Sequence, residues 1–268
     1  MPSKNFPLNG KLSLIARVGH GSVTVDAQDG LTEASVTIEP RSAGSDIVDR
    51  ISVEQRGSVL AIVAPRQGGI FDLLGGRREA DAVDIHVTIP SGSPVKISSF
   101  TASVTIHGRS GAADIAYGSA DADIDVVDGD LRLRYGNGAA AVAEVTGSVQ
   151  MRSGGGDATF GRIGGSLDAG RGSGRLEVGS VRGRVRTRSG SGSAVLSSVH
   201  GDVDLASGSG GVEIGLPAGR AARLDVTTGS GRVRSDLPIE HAPASKADAI
   251  TVRARTGSGD VRLFRAAG

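Results

Sequence analysis

The stretch 183–200, which reads GRVRTRSGSGSAVLSSVH, is the unit from which most of this chain is built. The stretches on either side, 165–182 (GSLDAGRGSGRLEVGSVR) and 201–218 (GDVDLASGSGGVEIGLPA), have the same 18-residue length and align with it without a gap. Repetition at a fixed period is typical of solenoids, in which each repeat forms one coil and neighbouring coils stack. The repeat therefore predicts a stack of similar coils.

Units of this kind cover residues 93–268 and start at residues 93, 111, 129, 147, 165, 183, 201, 222 and 250. The first seven follow one another without insertion. The insertion Gly219-Arg220-Ala221 shifts the eighth unit, and a longer insertion, mostly residues 240–249, shifts the ninth.

Apolar side chains occupy positions 3, 5, 12 and 14 of almost every unit, as Val185, Ala194 and Leu196 do in the stretch 183–200. Position 8 is glycine in every unit except the first, where Phe100 stands. Alternation with a period of two indicates strands, and glycine between them suits a tight corner because it reaches positive φ without steric cost. Each coil is thus predicted to have two short strands with two inward side chains each.

The predicted fold class is all-β: a β-solenoid of 18-residue coils with two main parallel sheets. Strand–crossover–strand connections of this kind favour a right-handed coil. Residues 1–92 form a β-rich capping segment continuous with the solenoid, because Leu14, Ala16, Val23 and Val25 match the same four inward positions. Within this segment, 48–53 and 59–63 are predicted to form a hairpin.

Composition excludes several classes of protein. The 30 lysines and arginines balance 29 aspartates and glutamates, whereas nucleic-acid-binding proteins usually carry a basic excess. There is no cysteine, and no apolar run approaches the roughly 20 residues that a membrane-spanning helix needs. We therefore expect no nucleic-acid partner and no direct membrane insertion. Because the N-terminus also lacks the apolar region of a secretory leader, the expected location is cytoplasmic.

Motifs for catalysis or cofactor binding do not occur. The Gly-Ser corners lack the third glycine of a dinucleotide fingerprint and precede a strand rather than a helix, and the histidines have no metal-ligand spacing. We predict no catalytic residue and no cofactor. Asp121, Asp123 and Asp125 alternate on one outward strand face, so a hard cation or a small ligand could bind there. A solvated strand face is the competing interpretation of these carboxylates.

Apolar side chains away from the repeat mark candidate contacts with a partner. Ile70, Phe71, Leu73 and Leu74 lie between two glycine pairs and form either a lid on the core or an exposed patch that binds another protein. The last unit in sequence contributes Leu263 and Phe264 as further candidates. The expected partner is a protein or a second copy of this chain.

Outward positions of the first strand carry many arginines, among them Arg132, Arg152 and Arg186. They could form a basic stripe for phosphate. However, position 4 alternates between acidic and basic residues in several neighbouring coils, which indicates a ladder of ion pairs between adjacent strands. Tyr117 and Tyr135 share position 7 of adjacent coils and are predicted to stack.

Four segments carry a resemblance to a known family. They are the entry strand and corner 12–23, the junction VDIHVTIPSGSPVKI at 83–97, the repeated SGSG corners and the stretch TGSGDVRL at 256–263. On these segments the chain resembles the bacterial β-strand-repeat family of unknown function known as putative-adhesin-like or the toast-rack domain. The resemblance spans nearly the whole chain and implies a β-solenoid, without catalytic residues to carry over.

The resemblance also implies two settings, because members similar to this chain occur alone in the cytoplasm or attached to membrane segments in envelope-stress systems. The resulting prediction is a non-enzymatic β-solenoid scaffold or protein-interaction module in envelope-stress or regulatory assemblies. The alternative is a β-solenoid that binds a small ligand or a divalent cation.

Overall fold

The computed structural model describes residues 3–8, 10–42, 45–65, 81–237 and 249–266. Their secondary structure is almost entirely β-strand, with one helix of four residues. The chain divides into two compact units, Met1–Gly138 and Ala139–Gly268. This division lies within the predicted repeats, whereas the segments expected from the sequence meet at residue 92. Each unit is built from paired strands of the predicted kind.

The elements of the first unit follow one another in this order: β1 (Ser3–Pro7), β2 (Ser13–Val18), β3 (His20–Gln28), β4 (Glu33–Pro40), α1 (Ile47–Arg50), β5 (Ser52–Arg56), β6 (Val59–Val63), β7 (Ala82–Pro90), β8 (Val95–Ser99), β9 (Ser103–Ser110), β10 (Ala113–Ser119), β11 (Ala122–Val127) and β12 (Leu131–Asn137). They form two sheets with the strand orders β1-β4-β7-β3-β9-β11 and β5-β6-β2-β8-β10-β12.

Most strand pairs of the first unit are parallel and have the register that the repeat predicts. Leu14 lies opposite Val95, which in turn lies opposite Ala113, and Val23 lies opposite Val104. The N-terminal strands β2 and β3 therefore continue the solenoid, as their apolar positions predict. Strand β6 pairs with β2 on the side opposite β8, and β7 pairs with β3 on the side opposite β9. The coil of β6 and β7, which comes later in the sequence, therefore stacks outside the coil of β2 and β3.

Antiparallel strands end the first unit. β1 pairs antiparallel with β4, β4 with β7, and β5 with β6. The predicted hairpin exists as β5 and β6, but its first strand is Ser52–Arg56 rather than 48–53. Ile47–Arg50 is a helix rather than the start of that strand, and Ile47 is buried. A side-chain period does not separate a four-residue helical turn from a strand, which is why the prediction was wrong at this point.

The elements described in the second unit are all strands: β13 (Ala140–Val145), β14 (Val149–Ser153), β15 (Ala158–Ile163), β16 (Leu167–Arg171), β17 (Leu176–Val181), β18 (Val185–Ser191), β19 (Ala194–Val199), β20 (Val203–Ser209), β21 (Val212–Leu216), β22 (Ala222–Ser230), β23 (Val233–Ser235), β24 (Ile250–Ser258) and β25 (Val261–Arg265). Its two sheets have the strand orders β13-β15-β17-β19-β21-β25-β23 and β14-β16-β18-β20-β24-β22.

An 18-residue step relates neighbouring strands through most of the second unit. Val149, Leu167, Val185 and Val203 are register partners along one sheet, and all four side chains are buried. The inward positions thus build a continuous core of small aliphatic side chains, because one coil cannot bury its own apolar residues. The all-β solenoid fold class is confirmed, and the handedness of its coils stays a prediction.

The last two coils are stacked in the reverse of their sequence order. Val203 of β20 lies opposite Val252 of β24, and Leu224 of β22 lies on the other side of that strand. In the other sheet β25 likewise separates β21 from β23. The ninth unit is therefore inserted between the seventh and the eighth. The eighth unit, β22 and β23, provides the edge strand of both sheets; we call it the end coil.

Candidate functional site

The aspartates that could bind a cation lie where the sequence places them, on the outward face of β11. Asp121, Asp123 and Asp125 are exposed and alternate with buried residues. Asp125 accepts a hydrogen bond of 2.8 Å from the backbone N–H of Gly108. In the described part of the chain, no three His, Asp or Glu side chains are grouped so that they could hold a metal ion. Asp121, Asp123 and Asp125 are therefore not grouped with one another closely enough to form a metal site, and binding of a cation there stays a prediction.

Several of the outward basic side chains of the first strands form ion pairs with aspartates. Each pair joins residues of adjacent coils, and every partner is partly exposed. The pairs are Lys96–Asp114 (3.7 Å), Arg134–Asp114 (2.8 Å), Arg152–Asp168 (3.1 Å) and Arg186–Asp204 (3.9 Å). The pairs of Lys96 with Asp114 and of Arg186 with Asp204 join position 4 of adjacent coils, as predicted. Arg134 and Arg152 stand at position 6 and reach an aspartate at position 4 diagonally, so the ladder is confirmed only in part.

The predicted tyrosine stack is also present. The rings of Tyr117 and Tyr135 lie 5.0 Å apart at an interplanar angle of 13°, and both side chains are buried. Burial raises the pKa of Tyr117 well above the usual value of a phenol. Both rings are thus part of the packing of the first unit and are not available as a platform for a base or an aromatic ligand.

The predicted partner contacts have different outcomes. Ile70, Phe71, Leu73 and Leu74 lie outside the described residues, so their role stays a prediction. Leu263 points into the core and is fully buried in β25, which corrects the expectation that it contacts a partner. The physical reason is the insertion of β25 between β21 and β23, since coils cover Leu263 on both sides.

Phe264 follows Leu263 and is partly exposed. The guanidinium of Arg262 lies 5.7 Å from the centre of its ring, within the range of a cation–π contact. A partner contact through Phe264 stays a prediction.

The end coil exposes side chains that are buried everywhere else in the repeat. Leu224 and Val233 occupy inward positions 3 and 12, yet they are 40% and 47% exposed. Their equivalents in the seventh coil, Val203 and Val212, are 2% and 1% exposed. The difference arises because no further described strand pairs with β22 or β23 on their outer side. The end coil therefore presents apolar side chains next to two open strand edges.

The edges of the first unit are protected in a different way. Its edge strand β5 carries an ion pair between Glu54 and Arg56 (2.6 Å), and β1 contains Lys4 and Pro7. Charged side chains and proline on an edge strand discourage pairing with another chain. Strands β22 and β23 contain no proline. On β22 the exposed apolar side chain of Leu224 lies next to the outer backbone edge of the strand.

This site was not predicted, although the sequence contains signals for it. Ser235 stands at position 14 of the eighth unit, where the eight other units have an apolar residue. Insertions also flank this unit on both sides, at residues 219–221 and 240–249. A polar inward residue between two insertions indicates a coil that is covered on one side only.

The amino-acid sequence matches the family described as Toastrack DUF4097 over residues 17–268, which is nearly the whole chain.

The chain belongs to the Toastrack DUF4097 family.

This Toastrack chain is also similar to solved structures. One is a putative adhesin from Bacteroides fragilis NCTC 9343, with 13% identity, a TM-score of 0.48 and coverage of 98% of this chain and 96% of the other. A putative lipid binding protein from Parabacteroides distasonis ATCC 8503 has 12% identity, a TM-score of 0.45 and coverage of 98% and 96%. A putative adhesin from Parabacteroides merdae ATCC 43184 has 12% identity, a TM-score of 0.44 and coverage of 98% and 95%. No curated protein matches the sequence.

One more exposed apolar side chain lies in the first unit of this Toastrack chain. Phe100, which stands at the corner position where the eight other units have glycine, is 60% exposed. Its ring meets His20 edge-on, with 5.9 Å between ring centres, and His20 Nδ1 lies 2.5 Å from Thr101 Oγ1. A single exposed aromatic ring is ordinary on a protein surface, so the end coil is the stronger candidate for binding.

Among the described residues no helix has the length and hydropathy to cross a membrane.

Proposed function

We propose that this Toastrack chain is a non-enzymatic protein-interaction module whose end coil binds another polypeptide. The observation that carries the proposal is the exposure of Leu224 and Val233 at positions that every other complete coil of the second unit buries. A strand added to β22 or β23 would satisfy open backbone groups and cover these side chains at the same time.

The remaining surface supports this proposal by its chemistry. Several outward charges of the coils form ion pairs between adjacent strands, and no three acidic or histidine side chains of the described residues are grouped into a metal site. Two of the three exposed large apolar side chains among the described residues, Leu224 and Val233, lie on the end coil. A role in envelope-stress or regulatory assemblies, and a cytoplasmic location, stay predictions from the sequence.

A photo-reactive amino acid tests the proposal in cells that express the chain at its natural level. Placed at Leu224, it should form a cross-linked adduct with a protein, because a bound strand lies directly against this side chain. The matched control places the same amino acid at Val195, which is outward-facing on β19 between two neighbouring strands.

A second variant tests whether the adduct depends on the open edge. Val226→Lys puts a charge on the inward face of β22 and should remove the adduct at position 224. Mass spectrometry of the adduct identifies the bound protein. Equal adducts from positions 224 and 195, or an adduct that persists with Val226→Lys, would contradict the proposal.

A further inference from the structure

No described strand pairs with the outer edge of β22, so the backbone groups that point to this edge can be identified from the pairing on the other side. Ile250 N–H donates to the carbonyl of Ala221 at 2.9 Å, so Ala221 faces β24. The N–H and C=O of one strand residue point to the same side, and the side alternates from residue to residue. Arg223 and Asp225 therefore also face β24. The backbone groups of Leu224 and its alternate neighbours point away from β24, toward the open edge.

The side chains of β22 alternate in the same period. Leu224 and Val226 lie in register with Val252 and Ala254, which are fully buried, so they belong to the inward face. Arg223 and Asp225 lie on the outward face and are exposed. Asp225 Oδ2 lies 3.7 Å from Arg255 Nη2 of β24. Arg223 forms no ion pair with any described residue.

This strand is complementary to itself when a second copy runs antiparallel to it. With Leu224 placed opposite Leu224 of the other copy, Ala222 lies opposite Val226 and Arg223 lies opposite Asp225. Leu224 and Ala222 then exchange backbone hydrogen bonds with the opposing residues, because their N–H and C=O groups are the free ones. The apolar side chains meet on one face, and an arginine meets an aspartate twice on the other.

Neighbouring registers lack this match. If the pairing is centred on Asp225, two aspartates face each other and the backbone groups at the centre point toward β24. If it is centred on Val226, Asp225 lies opposite Thr227 and Arg223 lies opposite Gly229, so no opposite charges meet. Only the register centred on Leu224 combines backbone, apolar and charge complementarity.

We propose that two copies of this chain associate through β22, in an antiparallel pair centred on Leu224. The inference rests on the proposed function of the end coil and names its occupant as a second copy. The contact is isologous, so it closes as a twofold dimer and does not extend into a fibre.

Sedimentation velocity over a series of protein concentrations tests this proposal. The wild-type chain should shift from monomer to dimer as the concentration rises. In the Arg223→Asp variant, an aspartate at position 223 of each copy faces Asp225 of the other copy. This repulsion should weaken the dimer about tenfold. Arg188→Asp is the matched control: it makes the same charge change on β18, an inner strand whose residue Arg188 lies between Gly170 and Ala206, and it should leave dimerisation unchanged.

Salt supplies a readout that a folding defect would not produce. Added sodium chloride should weaken the wild-type dimer slightly, because it screens the Arg–Asp pairs, and strengthen the Arg223→Asp dimer, because it screens repulsion. Circular dichroism checks that the variant folds.

A wild-type chain that stays monomeric at every concentration, or an Arg223→Asp variant that dimerises like the wild type, would overturn the inference. The photo-cross-linking experiment separates this failure from failure of the proposed function. An adduct at Leu224 with a different protein would support the end coil as a binding site and exclude self-pairing. The absence of any specific adduct would contradict both the self-pairing and the proposed function.

Discussion

Single glycines at the coil corners determine how closely neighbouring coils approach. Gly192 adopts a φ of +129°, and a Cβ added to it would collide with the backbone carbonyl of Gly174 in the preceding coil. Gly219, in the insertion before the end coil, adopts a φ of +76° but has nothing within 4 Å of the added atom. Both glycines have a positive φ that disfavours other residues. Of the two, only Gly192 also lies close to the backbone of a neighbouring coil.

Alanine at these two glycines should have different costs. Gly219→Ala is expected to lower the free energy of unfolding by about 1–2 kcal/mol, because an L-residue is strained at positive φ. Gly192→Ala is expected to lower it by roughly 3–5 kcal/mol, because the strain is joined by a backbone collision that separates two coils. Urea unfolding followed by circular dichroism measures both. Equal losses would mean that contact between the coils adds nothing to the requirement for glycine.

A charged cluster joins three segments at the capped part of the first unit. Arg41, just after β4, donates from Nη2 to Asp84 Oδ1 of β7 at 2.7 Å, and Ser22 Oγ of β3 donates to the same oxygen at 2.5 Å. Hydrogen bonds from Arg41 are the main cause that holds the pKa of Asp84 below its usual value. The cluster connects the antiparallel cap to the first parallel strands.

The lowered pKa predicts how acid affects stability. Because the folded state binds the proton of Asp84 less tightly than the unfolded state, the contribution of this carboxylate is present above its ordinary pKa of 3.8 and is lost as pH falls below it. Asp84→Asn should lower the free energy of unfolding by about 1 kcal/mol at neutral pH. The difference from wild type should shrink as the pH falls below 3.8.

Thermal melting of both proteins across this pH range measures the effect. Glu213→Gln, which removes an exposed carboxylate of β21, is the control and should change stability little at any pH. A gap between Asp84→Asn and wild type that stays constant with pH would mean that the ionised form of Asp84 is not what stabilises the cap.

At the scale of the whole chain, coil order departs from sequence order in each unit. In the first unit the coil of β2 and β3 lies inside the later coil of β6 and β7. In the second unit β24 and β25 are inserted between the seventh coil and the end coil. As a result, each inserted coil pairs on both sides and buries its apolar side chains fully.

Engineered disulfides test the coil order of the second unit, since the chain has no native cysteine. Ser209 and Ser258 are register partners in adjacent strands, so their Cα atoms lie about 4.8 Å apart and Ser209→Cys with Ser258→Cys should form a disulfide. Ser230 lies on the far side of Ser258, roughly 9.6 Å from Ser209. Ser209→Cys with Ser230→Cys should therefore stay reduced. The opposite result would show that the coils stack in sequence order.

The candidate site could be predicted from the sequence only in part. Leu263 fits the inward template as well as Leu196 does, and nothing in its own coil shows whether the coil is terminal. The aspartates of β11 and the arginine ladder were placed correctly, because side-chain alternation alone decides which face they occupy. The exposure of Leu224 and Val233 depends on whether another coil covers them, and no property of those two residues indicates that no described strand does so.

The amino-acid sequence by itself determined the repeat length, the inward side chains and the two-sheet solenoid, because a period of two within a period of 18 leaves few other ways to bury small aliphatic residues. Only the tertiary structure decided which coil is at the end. Apart from Thr187 and Ser235, the inward positions of the nine units hold apolar residues, so stacking free energy distinguishes only weakly between possible neighbours. Because the ninth unit pairs with the seventh and the eighth pairs only with the ninth, Leu224 and the outer edge of β22 have no described strand beside them.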